Sequence, residues 1–156
     1  MSSEQVGDQQ GNRRPVPKLN REIVRVRDAM HRDFDRMDGM TTVLEAMSNL
    51  KYPERKAIII NKRHDDDENG IVMISDIGRK VVAGSKSPKR VSLYELMSKP
   101  YISVDPQMDV RYAARLFEQF RLARVPVVEN REVVGIVSFT DLVLRGFEPY
   151  LAGKNE

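Results

Sequence analysis

The chain of 156 residues contains no cysteine and no tryptophan, only two histidines, His31 and His64, and five tyrosines and five phenylalanines. Without cysteine there are no disulfides, no thiolate metal sites and no cysteine nucleophile, and cysteine pairing says nothing of the redox compartment. Long apolar runs are also missing. The longest stretch free of charge, Val133 to Thr140, is far short of the roughly 20 residues that span a bilayer. The start, MSSEQVGDQQGN, has neither the basic opening nor the apolar centre of a secretory signal, so a cytoplasmic location is the expectation. No glycine-rich phosphate loop is present, and neither histidine has a partner at metal-ligand spacing, which argues against an enzyme.

What is present is the composition of a folding chain: 40% hydrophobic and 31% charged residues, sufficient for one domain or two very small ones sharing a core. The formal net charge is +3, and residues 11–36 hold eight Lys/Arg against four Asp/Glu. Nearby acids balance half of that excess and no aromatic residue interleaves it before Phe34, so it reads as a solvated face rather than a nucleic-acid site. Residues 1–20, polar and holding Pro15 and Pro17, read as a flexible tail.

Internal repetition organises the rest. The apolar stripe Val26, Ala29, Met30 returns 67 residues later as Leu93, Leu96, Met97. At the same offset Val43, Ala46, Met47, Leu50 return as Val110, Ala113, Ala114, Phe117, each set on one helix face. Thr42 with Glu45 suits a capping box and Asp109 an N-cap. Two β-like runs follow, Ala57 to Asn61 and Val125 to Glu129, each leading into a turn. The closest match is GIVMISD (70–76) with GIVSFTD (135–141), each a strand opened by glycine and closed by aspartate before a helical run. The expected architecture is α/β (α+β): two tandem repeats, each helix-strand-helix-strand-strand-helix, packed with pseudo-two-fold symmetry. The boundaries are 21–83 and 93–150, with a linker at 84–92 and a C-terminal tail at 151–156.

This order of elements, the doubling and the GIVSFTD strand resemble the CBS domain, two of which form a CBS pair, or Bateman module. Since the resemblance covers nearly everything from Arg21 to Tyr150, it implies a stand-alone regulatory module. It also implies an adenosine-containing ligand (AMP, ADP, ATP or S-adenosylmethionine) in the cleft between repeats, no required cofactor or metal, a homodimer and an unidentified protein partner. The family's Ser/Thr-x-x-Asp motif matches Ser138 and Asp141, a hydroxyl donor and a carboxylate acceptor for ribose. Its apolar-Pro-apolar element matches Val125, Pro126 and Val127, beside adenine. Ile102 and Val104 supply the opposite wall, and Arg124 and Arg121 serve phosphate. In the first repeat Asp76 is kept, but Met73 replaces the hydroxyl and Ile58 the proline. The second site, with Asp76, Ile58, Ile59, Lys56 and Met37, is therefore the weaker one. The alternative is a ligand-free structural, dimerisation or protein-interaction module.

Three features have plainer readings. The run Asp65 to Gly70 matches the opening of a calcium loop, but β-like runs flank it, so it reads as an acidic hairpin loop. Both histidines read as solvated surface residues and the methionines as core filling. Asp141 also suits a helix N-cap.

Overall fold

The computed structural model describes residues 23–100 and 102–153; the tail read at 1–20 lies outside them. The first repeat contributes α1 (Val26–Ala29), β1 (Asp35–Met37), α2 (Val43–Asn49), a 3-10 turn (Pro53–Arg55), β2 (Ala57–Ile60), β3 (Gly70–Met73) and α3 (Ile74–Ile77), which runs into a π-helical turn (Gly78–Val82). The second contributes α4 (Leu93–Leu96), α5 (Val110–Phe120), β4 (Arg124–Glu129), β5 (Glu132–Ser138) and α6 (Phe139–Gly153). This is the expected mixed architecture of tandem repeats. The last helix extends to Gly153, into the segment read as a C-terminal tail, and Val91 of the segment read as linker is buried against α2, its carbonyl accepting the Val43 N–H at 2.9 Å.

Local signals place the helices. Thr42 Oγ1 accepts the Glu45 N–H at 3.2 Å and Glu45 Oε2 accepts the Thr42 N–H at 3.3 Å, closing the expected box on α2. Asp109 Oδ1 accepts the Arg111 N–H at 2.8 Å and starts α5, which ends at Arg121 in a left-handed conformation, φ 51°.

In the first sheet β1 runs parallel and β3 antiparallel to β2; in the second, β4 and β5 form an antiparallel pair. Single-residue bridges complete the likeness between the two. Val104 lies parallel to Val127 as Met37 lies beside Ile60, and His31 pairs with Ile136 as Ser98 pairs with Ile71. The pairs Arg25–Asp109 and Thr42–Ser92 exchange under the same 67-residue shift. Tandem repetition in the sequence thus appears in space as a pseudo-two-fold axis.

The repeats also exchange their first helices. Val26, Ala29 and Met30 are buried among Val110, Phe117, Val125 and Val137 of the second repeat, whereas Leu93 and Leu96 are buried among Val43, Ile58, Ile60 and Val72 of the first. A third cluster, Ala57, Ile59 and Ile71 against Val133 and Ile136, joins the two sheets face to face. Each buried Val, Leu or Met in the exchanged helices contributes about 1.5–3 kcal/mol. Neither repeat keeps its complete core when separated.

Close approach of the exchanged segments explains the glycines of the GIV runs. A Cβ on Gly135 would lie 2.9 Å from the His31 carbonyl oxygen and 2.9 Å from Met30 Sδ, and one on Gly70 would lie 2.6 Å from Met97 Sδ. Because the His31 carbonyl is held by the Ile136 N–H at 3.0 Å, the backbone contact at Gly135 has little room to relax. Gly135→Ala is expected to lower unfolding free energy by about 1–3 kcal/mol in urea. Gly78→Ala, where a Cβ meets nothing within 4 Å, is expected to be neutral or slightly stabilising. Equal effects of the two substitutions would contradict this packing.

Candidate functional site

The strand-to-helix junction at β5–α6 is a capping box made by the Ser-x-x-Asp motif itself. Ser138 Oγ accepts the Asp141 N–H at 3.0 Å, and Asp141 Oδ2 accepts the Ser138 N–H at 2.9 Å. The N-cap is therefore Ser138, and Asp141, read as an N-cap from sequence, lies inside the first turn. This placement holds the carboxylate rigidly. Asp141 Oδ1 is in contact with His31 Nε2 at 3.0 Å. Burial pushes the Asp141 carboxyl up, but the Ser138 N–H, the His31 ring and the Ser138 hydroxyl side together hold it below the usual carboxylate value.

A cleft of about 360 Å³ opens over this junction. His31, Glu54, Arg55 and Lys56 line it from the first repeat, and Leu122, Arg124, Ser138, Phe139, Thr140 and Asp141 from the second. Arg124 opens β4 opposite Ser138 in the sheet register, and one of its terminal nitrogens donates to the Arg55 carbonyl at 3.2 Å. Its Nε is buried with no protein partner. Burial lowers the Arg124 pKa, and the Asp141 charge works in the opposite direction. Lys56 takes a left-handed conformation, φ 59°, after the 3-10 turn, with its carbonyl accepting the Ile74 N–H at 2.9 Å. One cleft thus combines a fixed carboxylate acceptor, a hydroxyl and the basic side chains of Arg55, Lys56 and Arg124 beside Glu54, chemistry that suits a polyhydroxylated anion.

The other residues singled out from sequence are distributed differently. Val125, Pro126 and Val127 are buried in β4, and the Pro126 carbonyl already accepts the Val104 N–H at 3.2 Å. Val104 is buried in the same core, with Ile102 packed on its margin. Arg121 is exposed at the end of α5 and is not among the residues lining the cleft. Ile58 and Ile59 are fully buried on opposite faces of β2. Asp76 accepts the Met73 N–H at 3.0 Å and pairs with Arg79 at 2.7 Å. Met37 lines a separate depression of about 380 Å³ with Asp35, Lys51 and Tyr52. Lys56, assigned to the weaker second site, stands in the cleft of Asp141.

Three residues carry no signal in the sequence: Arg55, brought to the cleft by the 3-10 turn before β2, His31 and Asp35. His31, read as a solvated surface residue, is brought to Asp141 by the exchange of α1; the repeat pattern shows the helix but carries no sign of which core receives it. Asp35 occupies the first-repeat position matching Ile102. It is 6% exposed, and its carboxylate accepts the N–H groups of Lys51 and Tyr52. A buried carboxylate therefore stands where the second repeat has an isoleucine packed on the margin of its core. His64, by contrast, is exposed in the acidic loop, where Asp67 is paired with Lys99 at 2.8 Å.

These features define a two-repeat module with a polar cleft between its halves. The CBS domain family matches residues 93–147. A hexameric CBS-CP12 protein from bloom-forming cyanobacteria is 31% identical, with a TM-score of 0.74 over 87% of this chain and 74% of that one. An uncharacterized protein of Methanopyrus kandleri is 34% identical over 64% of this chain, which spans about half (49%) of that relative's length. The CBS domain-containing protein YhcV of Bacillus subtilis is 27% identical over 83% of this chain and 90% of its own. The chain belongs to the CBS-domain family, whose members are generally regulatory ligand-binding modules. Among the described residues no helix is long and apolar enough to cross a membrane.

Because its carboxyl is held below the unfolded value, Asp141 contributes stability that is present above about pH 4 and lost as the pH falls through its folded titration. Between about pH 5 and 2.5 the unaltered protein is expected to lose more thermal stability than Asp141→Asn, whose amide oxygen still accepts the Ser138 N–H. Parallel midpoint curves for the two would contradict the assigned interactions.

Proposed function

We propose that the chain is a regulatory sensor that takes an adenosine-containing ligand (AMP, ADP, ATP or S-adenosylmethionine) in the cleft between its repeats and passes the change to a protein partner. The observation that carries this reading is the meeting of Asp141 and Ser138 with Arg124, Arg55 and Lys56 in one cleft. The carboxylate suits a ribose diol, and the buried, unpartnered Nε of Arg124 with its neighbouring cations suits phosphate. Arg55 and Lys56 belong to one repeat and Arg124 and Asp141 to the other, so a ligand touching both halves favours one packing of the repeats over another. A useful switch needs about 1–3 kcal/mol of such preference. The role requires no catalytic group and no cofactor.

The apolar stripe Val143, Leu144, Phe147, Tyr150 and Leu151 on the exposed side of α6 favours self-association, as does the hexameric state of the cyanobacterial relative. A homodimer through this stripe is part of the proposal. Sedimentation should show Phe147→Glu at lower mass than the unaltered protein, and equal masses would exclude the stripe. The same surface supports the second reading, a ligand-free interaction module.

Thermal unfolding separates the two readings. At about 100 times its dissociation constant a ligand adds about 2.7 kcal/mol, a midpoint rise of about 5–10 °C for a chain of this size. Adenine compounds should produce the rise and guanine nucleotides should not, and Asp141→Ala should abolish it while leaving the fold intact. No rise with any adenine compound would favour the interaction module.

A further inference from the structure

His31 lines the cleft but is assigned by neither the repeat pattern nor the Ser-x-x-Asp motif, and a role for it in choosing the ligand rests on the cleft taking a nucleotide. Its backbone is fixed, the N–H donating to the Ile136 carbonyl at 2.9 Å and the carbonyl accepting the Ile136 N–H at 3.0 Å. Its side chain is 38% exposed and reaches Asp141 Oδ1 at 3.0 Å, so the ring is both anchored and open to the cleft. The charged groups sharing the cleft are Asp141 on α6, Arg124 on β4, and Glu54, Arg55 and Lys56 around the end of the 3-10 turn; Arg32 and Asp33 follow in sequence and are exposed.

We propose that His31 is the charge-selecting residue of this cleft: by carrying a proton when an anion enters, it makes the site favour phosphate-bearing adenosine ligands over neutral adenosine, increasingly so as the pH falls from 7.5 toward 5.5. Carboxylates ordinarily titrate below this window and lysine and arginine above it, so a histidine is the side chain that changes charge within it. An anion bound among Arg55, Lys56 and Arg124 shares the cleft with the ring and stabilises the imidazolium. By linkage, the imidazolium favours the anion by the same factor. Opposite unit charges about 6 Å apart in an effective dielectric of about 40 give about a tenfold effect. The ribose hydroxyls of either ligand must share Asp141 Oδ1 with the ring, and the imidazolium holds that oxygen more tightly than the neutral ring does. That cost is common to charged and uncharged ligands, so a preference for the charged one that grows as the pH falls is the signature of this arrangement, and a purely structural histidine would not produce it.

The test is calorimetric titration with adenosine and with the methyl ester of AMP, whose single charge does not titrate in this range, at about pH 5.5 and about pH 7.5. In the unaltered protein the ratio of ester affinity to adenosine affinity should be about fivefold higher at the lower pH, with adenosine bound no more tightly there. His31→Gln retains an N–H for Asp141 but carries no charge, and should show no pH trend with either ligand. The same trends in both proteins would overturn the proposal. If neither compound binds at either pH, the nucleotide reading fails, and inorganic sulfate becomes the probe in a proton NMR titration. With two histidines in the chain, the His31 ring signal is the one missing from His31→Gln. Sulfate should move its titration to higher pH, and an unmoved titration would overturn the charge-selecting role by itself.

Discussion

The exchange of the first helices between the two repeats is the constraint on which the rest of the structure depends. With Val26, Ala29 and Met30 seated in the second core and Leu93 and Leu96 in the first, neither half completes its apolar packing alone. Units of about 60 residues bury too little surface for comfortable independent stability, and the exchange turns two marginal cores into one cooperative body. The glycines at 70 and 135 follow from it, since each lies under the methionine that ends an exchanged helix. Placement of the cleft between the repeats follows from it as well.

The polar groups of the cleft use parts that the fold already needs. Ser138 and Asp141 close a capping box at a helix start, and in doing so present a fixed carboxylate to the cleft. Arg124 stands at the first residue of a strand, where β-pairing with Ser138 sets its position, and Lys56 is set by a left-handed turn that ends a 3-10 segment. The symmetry-related junction has the backbone half of the same design: Asp76 accepts the Met73 N–H, but a thioether replaces the hydroxyl and Arg79 occupies the free carboxylate oxygen. Together with Asp35 at the position matching Ile102, this makes the two halves alike in fold and unlike in chemistry.

Much of this is legible in the sequence because repetition and periodicity are local in register. The 67-residue offset, the Thr42 and Asp109 caps and the strands around AIII and VPVV can be read residue by residue, and the structure contains each of them. The path of α1 cannot be read that way. An apolar i, i+3, i+4 stripe says that a helix needs a core but not which core, and the His31–Asp141 contact spans 110 residues. Assignments that match one repeat to its own site meet the same obstacle. Sequence position groups Lys56 with Asp76, yet the pseudo-two-fold arrangement places it beside Asp141. Val127 and Ile58, matched by resemblance to the element beside adenine, are fully buried, because their strands are packed on both faces.

The proposed switch depends on one ligand engaging both repeats at the Asp141 cleft. Mapping backbone amide shifts by NMR as AMP is added tests it most directly. Concerted changes are expected at Arg55 and Lys56 in the first repeat and at Arg124 and Ser138 through Asp141 in the second. Changes confined to one repeat, or centred on Asp35, Met37 and Tyr52, would contradict it.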